Sequence, residues 1–180
     1  MASGSESISD PAPNVHVCHD GRFHPVVSVL DGNTIEIPHD RHSERIRLSG
    51  IDCPEKGQAF GTRAKQAASA LVFGKDVILQ THGQDKYGRT LGDVFLLDGT
   101  NMNHELVKHG WCWWYRKYAP GDTVLDGLEK EARDARKGLW ADPAPIPPWE
   151  WRKRTRLSER TTAYCRLPRI FCAQWSKPLS

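Results

Sequence analysis

The chain has 180 residues, 38% of them hydrophobic, which is enough for one well-buried domain with residues left over for tails, and no apolar run reaches membrane length. The formal net charge of +3 is unevenly spread: residues 151–180 hold eight Lys or Arg against one acid, and residues 1–150 the remaining 17 against 21. A mildly acidic body thus carries a basic tail, which fits an electrostatic arm for a polyanion and a merely solubilising terminus equally well.

Residues 1–22 are rich in Ser, Pro, Asn and Asp, lack periodicity and read as a disordered arm. His16, Cys18, His19 and His24 have no downstream partners at metal-ligand spacing, so they are read as exposed histidines and a thiol. Five cysteines without a C-x-x-C spacing argue against a structural zinc site. Free thiols are expected, with Cys165 and Cys172 as the pair that an oxidising compartment would join. Met1 is followed by neither a basic nor an apolar leader region, so the chain reads as cytoplasmic as written, with secretion or a periplasm as the alternative.

From residue 24 the run Pro-Val-Val-Ser-Val-Leu reads as a strand, Asp31-Gly32-Asn33 as a tight turn, and residues 34–37 as a second strand. Residues 45–49 form a third, in which Ile46 and Leu48 alternate with Arg45, Arg47 and Ser49. The spacing of Ala64, Ala67, Ala68, Leu71 and Val72 predicts a helix over 57–73, stopped by Gly74. Strands follow at 76–81 and 91–97, separated by the basic loop Asp85-Lys86-Tyr87-Gly88-Arg89. A short helix is predicted over 101–109 and an amphipathic one over 124–137, with the aromatic stretch 111–118 between them. Trp111, Trp113 and Trp114 are assigned there to core packing. Residues 143–180 read as a Pro/Trp linker and a basic tail, in which Arg152, Lys153, Arg154, Arg156 and Arg160 are candidate phosphate contacts. The fold class expected is α+β: a five-stranded OB-type β-barrel with about three packed α-helices, spanning residues 23–142.

Chemistry concentrates at 45–55, Arg-Ile-Arg-Leu-Ser-Gly-Ile-Asp-Cys-Pro-Glu. Gly50 and Pro54 break the strand and place Asp52 and Glu55 just beyond it, near Arg47. Two carboxylates and a guanidinium suit phosphodiester chemistry, in which one carboxylate holds a hard cation, another acts on water and arginine clamps phosphate oxygens; taken alone, the stretch equally reads as a solvated turn with a surface ion pair.

Three stretches, Val-Leu-Asp31-Gly-Asn33-Thr34, Arg47-Leu-Ser-Gly-Ile-Asp52-Cys-Pro-Glu55 and Asp85-Lys-Tyr-Gly-Arg89, resemble in order and spacing the signatures of the staphylococcal nuclease (thermonuclease) family. The resemblance covers roughly residues 24–142. It implies a Ca2+-dependent nuclease acting on DNA, RNA or both and leaving 3′-phosphate ends; separately, no membrane partner and a monomeric state are expected. By position it implies Asp52, Asn33 and the backbone carbonyl of Cys53 as calcium ligands, Glu55 on the attacking water, and Arg47 and Arg89 on the phosphate. Lys86 and Tyr87 would flank the phosphate, and Tyr115 and Tyr118 would stack on a base. Asn33 departs from the family's usual aspartate and removes a negative charge, for which Asp31 would compensate by orienting bound water. A catalytically weak or inactive nucleic-acid-binding module of the same family is the alternative reading.

Overall fold

The computed structural model describes residues 23–39 and 41–165, with side chains as far as residue 157. The N-terminal arm, Cys172 and the side chains of Arg160 and Cys165 lie outside what is described.

The element order is β1 (His24–Pro25), β2 (Ser28–Asp31), β3 (Thr34–His39), β4 (His42–Leu48), β5 (Ile51–Asp52), α1 (Gly61–Val72), β6 (Asp76–Gln84), β7 (Thr90–Leu96), α2 (Met102–Lys108), β8 (Trp113–Trp114), α3 (Thr123–Asp134), a 3-10 turn (Gly138–Ala141) and α4 (Pro148–Cys165). The α+β class is as expected, but the sheet is not a closed five-stranded ring. Six strands pair in the order β1-β6-β7-β4-β3-β2, and β5 and β8 form a separate two-stranded ribbon. The ends of the large sheet, β1 and β2, are separated by Val26 and Val27 alone, so the sheet must curl until its edges nearly meet. Val27 reaches across by donating its N–H to the carbonyl of Glu36. β4 and β7 run parallel, with Arg47 level with Leu91, whereas the other pairs of this sheet are antiparallel.

Alternation buries Ile35, Ile37, Ile46, Leu48, Val77, Leu79 and Val94 inside the curled sheet. Ala64, Ala68 and Val72 of α1 and Leu106 and Val107 of α2 cover this core, which is why small residues line α1: they let the helix lie close to the sheet. Helix α1 begins four residues later than its apolar spacing suggests. Residues 55–61 instead form tight turns, Gln58 N–H to the Glu55 carbonyl and Gly61 N–H to the Gln58 carbonyl, with Phe60 left-handed at φ 66°. A Cβ on Gly61 would lie 1.9 Å from the Glu55 carbonyl oxygen, so only glycine allows that turn to close.

Helices α2 and α3 are capped by Asn101 and Asp122, whose side chains accept the first backbone N–H groups. Asn103, buried on α2, donates to Asp93 at 2.7 Å and to the Ser49 carbonyl at 3.0 Å, tying the end of β4 to β7. Glu129 is 1% exposed on α3 and is paired with Arg116 (2.9 Å) and Arg133 (3.3 Å). It also accepts the N–H of Trp114, which fixes the ribbon against α3. Trp113 and Trp114 are buried, as assigned from the sequence.

Two expectations are corrected. Cys53 and Cys112 are not free thiols: they form a disulfide with Cα atoms 4.2 Å apart, beside the register pair Asp52 and Trp113. Residues 148–165 are helical, docked through Trp149, whose ring meets Trp113 at 5.7 Å and stacks on Tyr115 at 5.1 Å. Among the described residues no helix is long and apolar enough to cross a membrane.

The disulfide closes a sequence separation of 59 residues, and the chain-entropy model gives such a loop about 4 kcal/mol at its upper limit. The Cys53→Ser/Cys112→Ser variant is therefore expected to lose about 2–4 kcal/mol in urea unfolding with its midpoint lowered. An unchanged midpoint would mean that the ribbon is held without the bond.

Candidate active site

The ribbon β5–β8 leaves the curled sheet at one rim and carries Asp52 inward. Its carboxylate is 1% exposed, so it needs partners that offset the lost hydration. Oδ1 accepts from Arg47 Nη2 at 2.7 Å and from the Asn33 amide at 3.4 Å. Arg47 reaches it from β4 because Gly50, left-handed at φ 69°, turns the chain back between them. Asn33 arrives from the β2–β3 hairpin, whose turn is closed by Asp31 Oδ1 accepting the Asn33 N–H at 2.9 Å. Asp31 thus braces the turn that presents Asn33.

The other side of Asp52 is taken by a residue that sequence reading placed in the tail. Arg152 donates from Nη2 to Asp52 Oδ2 at 2.6 Å and from Nη1 to Glu55 Oε1 at 2.6 Å, so one guanidinium spans both carboxylates. Burial pulls the Arg152 pKa down, but the hydrogen bonds and charges of Asp52 and then Glu55 outweigh it, so the group is held above its ordinary value and stays cationic. The available signal for this helix was Pro147-Pro148 ahead of Trp149-Glu-Trp151-Arg152, since proline is favoured in the first turn of a helix.

Gln58 is the second unforeseen member. Buried, it accepts the Glu55 N–H through Oε1 at 3.1 Å and donates Nε2 to the Ile146 carbonyl at 2.5 Å. One amide therefore joins the turn that aims Glu55 to the segment that leads into α4.

The loop 85–89 is organised separately. Asp85 accepts the N–H groups of Tyr87 (2.8 Å) and Arg89 (3.0 Å) and the Arg89 guanidinium at 2.6 Å. Lys86 Nζ and the Arg89 guanidinium lie 4.9 and 5.5 Å from the Tyr87 ring centre. Arg89 precedes Thr90, which is level with Ile46, so the loop sits at the start of β7 about two residues, roughly 7 Å, upstream of the level of Arg47. Tyr118 is 66% exposed and meets Tyr115 edge-on at 4.9 Å, while the face of Tyr115 is covered by Trp149.

Arg47, Asn33, Asp52 and Glu55 are thus brought together, with the 85–89 loop along the sheet and the two tyrosines around the ribbon. Among the described residues no group of three or more His, Cys, Asp and Glu side chains is clustered for a metal. The donors present are hard oxygens, two carboxylates with an amide and the Cys53 carbonyl nearby in the chain, a set that suits Ca2+ over a softer ion.

A curled mixed sheet with helices packed on it and paired carboxylates and guanidinia at its rim defines a small α+β protein with a charged site. Comparison with known proteins makes the class specific. Residues 45–142 match the family described as staphylococcal nuclease homologue. An uncharacterized endonuclease of Escherichia coli O157:H7 is 46% identical over 129 residues, covering 72% of this chain and 84% of that one. The micrococcal nuclease of Shigella flexneri is 43% identical over 140 residues, covering 73% and 80%. A probable staphylococcal-like nuclease, CAN1, of Oryza sativa subsp. japonica is 37% identical over 134 residues, covering 71% and 40%. The chain belongs to the staphylococcal nuclease homologue family.

Asp85 is the brace of its loop. Burial pushes its pKa up, yet the hydrogen bonds from the Arg89 side chain and from the backbone of Arg89 and Tyr87 prevail and hold it below the usual aspartate range. A depressed carboxylate contributes stability above its unfolded pKa and loses it as pH falls through the lower folded value, so the loop stays braced at neutral pH. Asp85→Ala is expected to speed amide exchange at Tyr87 and Arg89 about tenfold or more with little change in global melting. Unchanged exchange would show that the loop is held by something else.

Proposed function

We propose that this chain is a nuclease that hydrolyses phosphodiester bonds in DNA, RNA or both, with Ca2+ as cofactor. The observation that carries the reading is the convergence of Arg47, Asp52 and Glu55 at one rim in a chain whose relatives include proteins named as endonucleases. Hydrolysis of a phosphodiester places extra negative charge on the phosphoryl oxygens in the transition state, and fixed cations stabilise that charge. Arg47 is held in place by Asp52 and offers its remaining N–H groups to one phosphoryl oxygen. Arg89, aimed by Asp85, supplies the second guanidinium. Glu55, 41% exposed and on a turn fixed by Gln58, takes the proton from the attacking water. Asp52, the Asn33 amide and the Cys53 carbonyl would hold Ca2+, which when bound polarises the phosphoryl group and lowers the pKa of its water. In the present arrangement Asn33 turns its NH2 toward Asp52, so serving as a ligand requires its oxygen to face the site instead. The Cys53–Cys112 bond supports an oxidising compartment, secreted or periplasmic, as the place of action.

Purified full-length chain incubated with single-stranded DNA and with RNA, in Ca2+ or chelator, is expected to cleave in Ca2+ alone. Glu55→Gln and Arg89→Ala are each expected to lower the rate by ~10²-fold or more, because a general base and a transition-state clamp act at the chemical step. Circular dichroism should show both variants folded. Cleavage at the original rate by either variant removes that residue from the mechanism.

A further inference from the structure

Helix α4 contacts the site at two places that the proposed ligands need. Arg152 occupies the oxygens of Asp52 and Glu55, and Trp149 lies parallel to Tyr115, 2° between planes and 5.1 Å between centres, in contact that leaves no room for an inserted base. Both residues lie in the first two turns of one helix, three positions apart, so they share a face and move together.

Charge sharpens the point. With Arg152 in place the carboxylates of Asp52 and Glu55 are balanced by Arg47 and Arg152, and the cluster is formally neutral. Withdrawing Arg152 leaves it at −1, the state that attracts a divalent cation. The same neutral Asn33 that reduces the negative charge of the site also makes one extra guanidinium sufficient to cancel it.

The hold on α4 is modest. Pro148 is buried and Trp149, Glu150, Trp151, Arg152 and Thr155 are partly so, but the other described side chains of the helix are exposed, its Lys153–Glu150 pair is a surface contact, and the Arg152 side chain is itself 33% exposed. Water reaches the Arg152 end of these ion pairs and screens them, and the apolar hold is confined to Pro148 and the two tryptophans of the first turn, so the rest of the helix adds little to keep it docked.

We propose that α4 is an autoinhibitory cap, in which Arg152 stands in the cation seat and Trp149 on the base platform, so that calcium and nucleic acid bind only as the helix is released. This rests on the calcium-dependent reading above. The apparent affinity of a ligand for a partly closed protein falls by the fraction that is open, so a cap closed nine times in ten weakens Ca2+ binding about tenfold.

The test uses the full chain with Arg152→Gln and with Arg152→Lys, which keeps the charge but loses the fork across both carboxylates. Calcium binding is measured by calorimetry without nucleic acid, and amide exchange of residues 149–157 is followed with and without saturating Ca2+. The cap predicts Ca2+ binding about tenfold or more tighter in Arg152→Gln, with Arg152→Lys between it and the parent. It also predicts faster α4 exchange in the parent when Ca2+ is added, and fast exchange in Arg152→Gln already without it. Equal Ca2+ affinity in all three proteins, or α4 exchange that is unchanged or slower in Ca2+, overturns the cap while leaving the nuclease reading intact. Failure of all three, well folded by circular dichroism, to bind Ca2+ overturns the calcium reading and the cap together. Should Arg152 be a phosphate ligand instead, Arg152→Gln would weaken oligonucleotide binding with no gain in Ca2+ affinity, which also refutes the cap.

Discussion

A carboxylate that is 1% exposed is the constraint on which this structure turns. A carboxylate this deeply buried needs cations at hydrogen-bond distance to offset its lost hydration, and Asp52 has two, Arg47 at 2.7 Å and Arg152 at 2.6 Å. Each arrives by a different route, one from the neighbouring strand and one from a helix 100 residues further along. Removing either would leave a buried charge underpaired, so the rim of the sheet, the β5–β8 ribbon and α4 are coupled through one side chain.

Much of the surrounding architecture serves to hold that side chain still. The ribbon places Asp52 opposite Trp113, the disulfide of Cys53 locks the next residue, and Glu129 fixes Trp114 from below. Gly61 allows the turn that carries Glu55 to close against α1, and Gln58 ties that turn to the segment leading to α4. The loop that bears Arg89 is braced independently by Asp85, so the second guanidinium is set by local hydrogen bonds and the first by the buried carboxylate. Such an arrangement separates the two clamps energetically, and a change at one should leave the other in place.

How much of this was legible in the sequence depends on the range of the interaction. Strand alternation at 34–37 and 45–49, the alanine spacing of α1 and the Asp31-Gly32-Asn33 turn are local patterns, and the elements they predict are present with shifted ends. The motif residues Arg47, Asp52 and Glu55 lie within nine positions of one another, so their convergence follows from one strand and one turn. Cys53 and Cys112 are joined across 59 positions with no local spacing to mark them. The same holds for Arg152, which precedes Lys153 and Arg154 and reads as part of a basic tail that contacts phosphates. Its helix is too polar for apolar periodicity to show, and the proline at its start was the remaining cue. The ribbon strands are two residues each, below the length at which alternation carries information.

The most direct test of the central claim is a crystal structure of the full chain with Ca2+ and a non-hydrolysable dinucleotide. It is expected to show the ion on the Asp52 carboxylate, the phosphate between Arg47 and Arg89, and Arg152 withdrawn from Asp52 and Glu55. Ion and phosphate bound elsewhere, with Arg152 still spanning the two carboxylates, would contradict it.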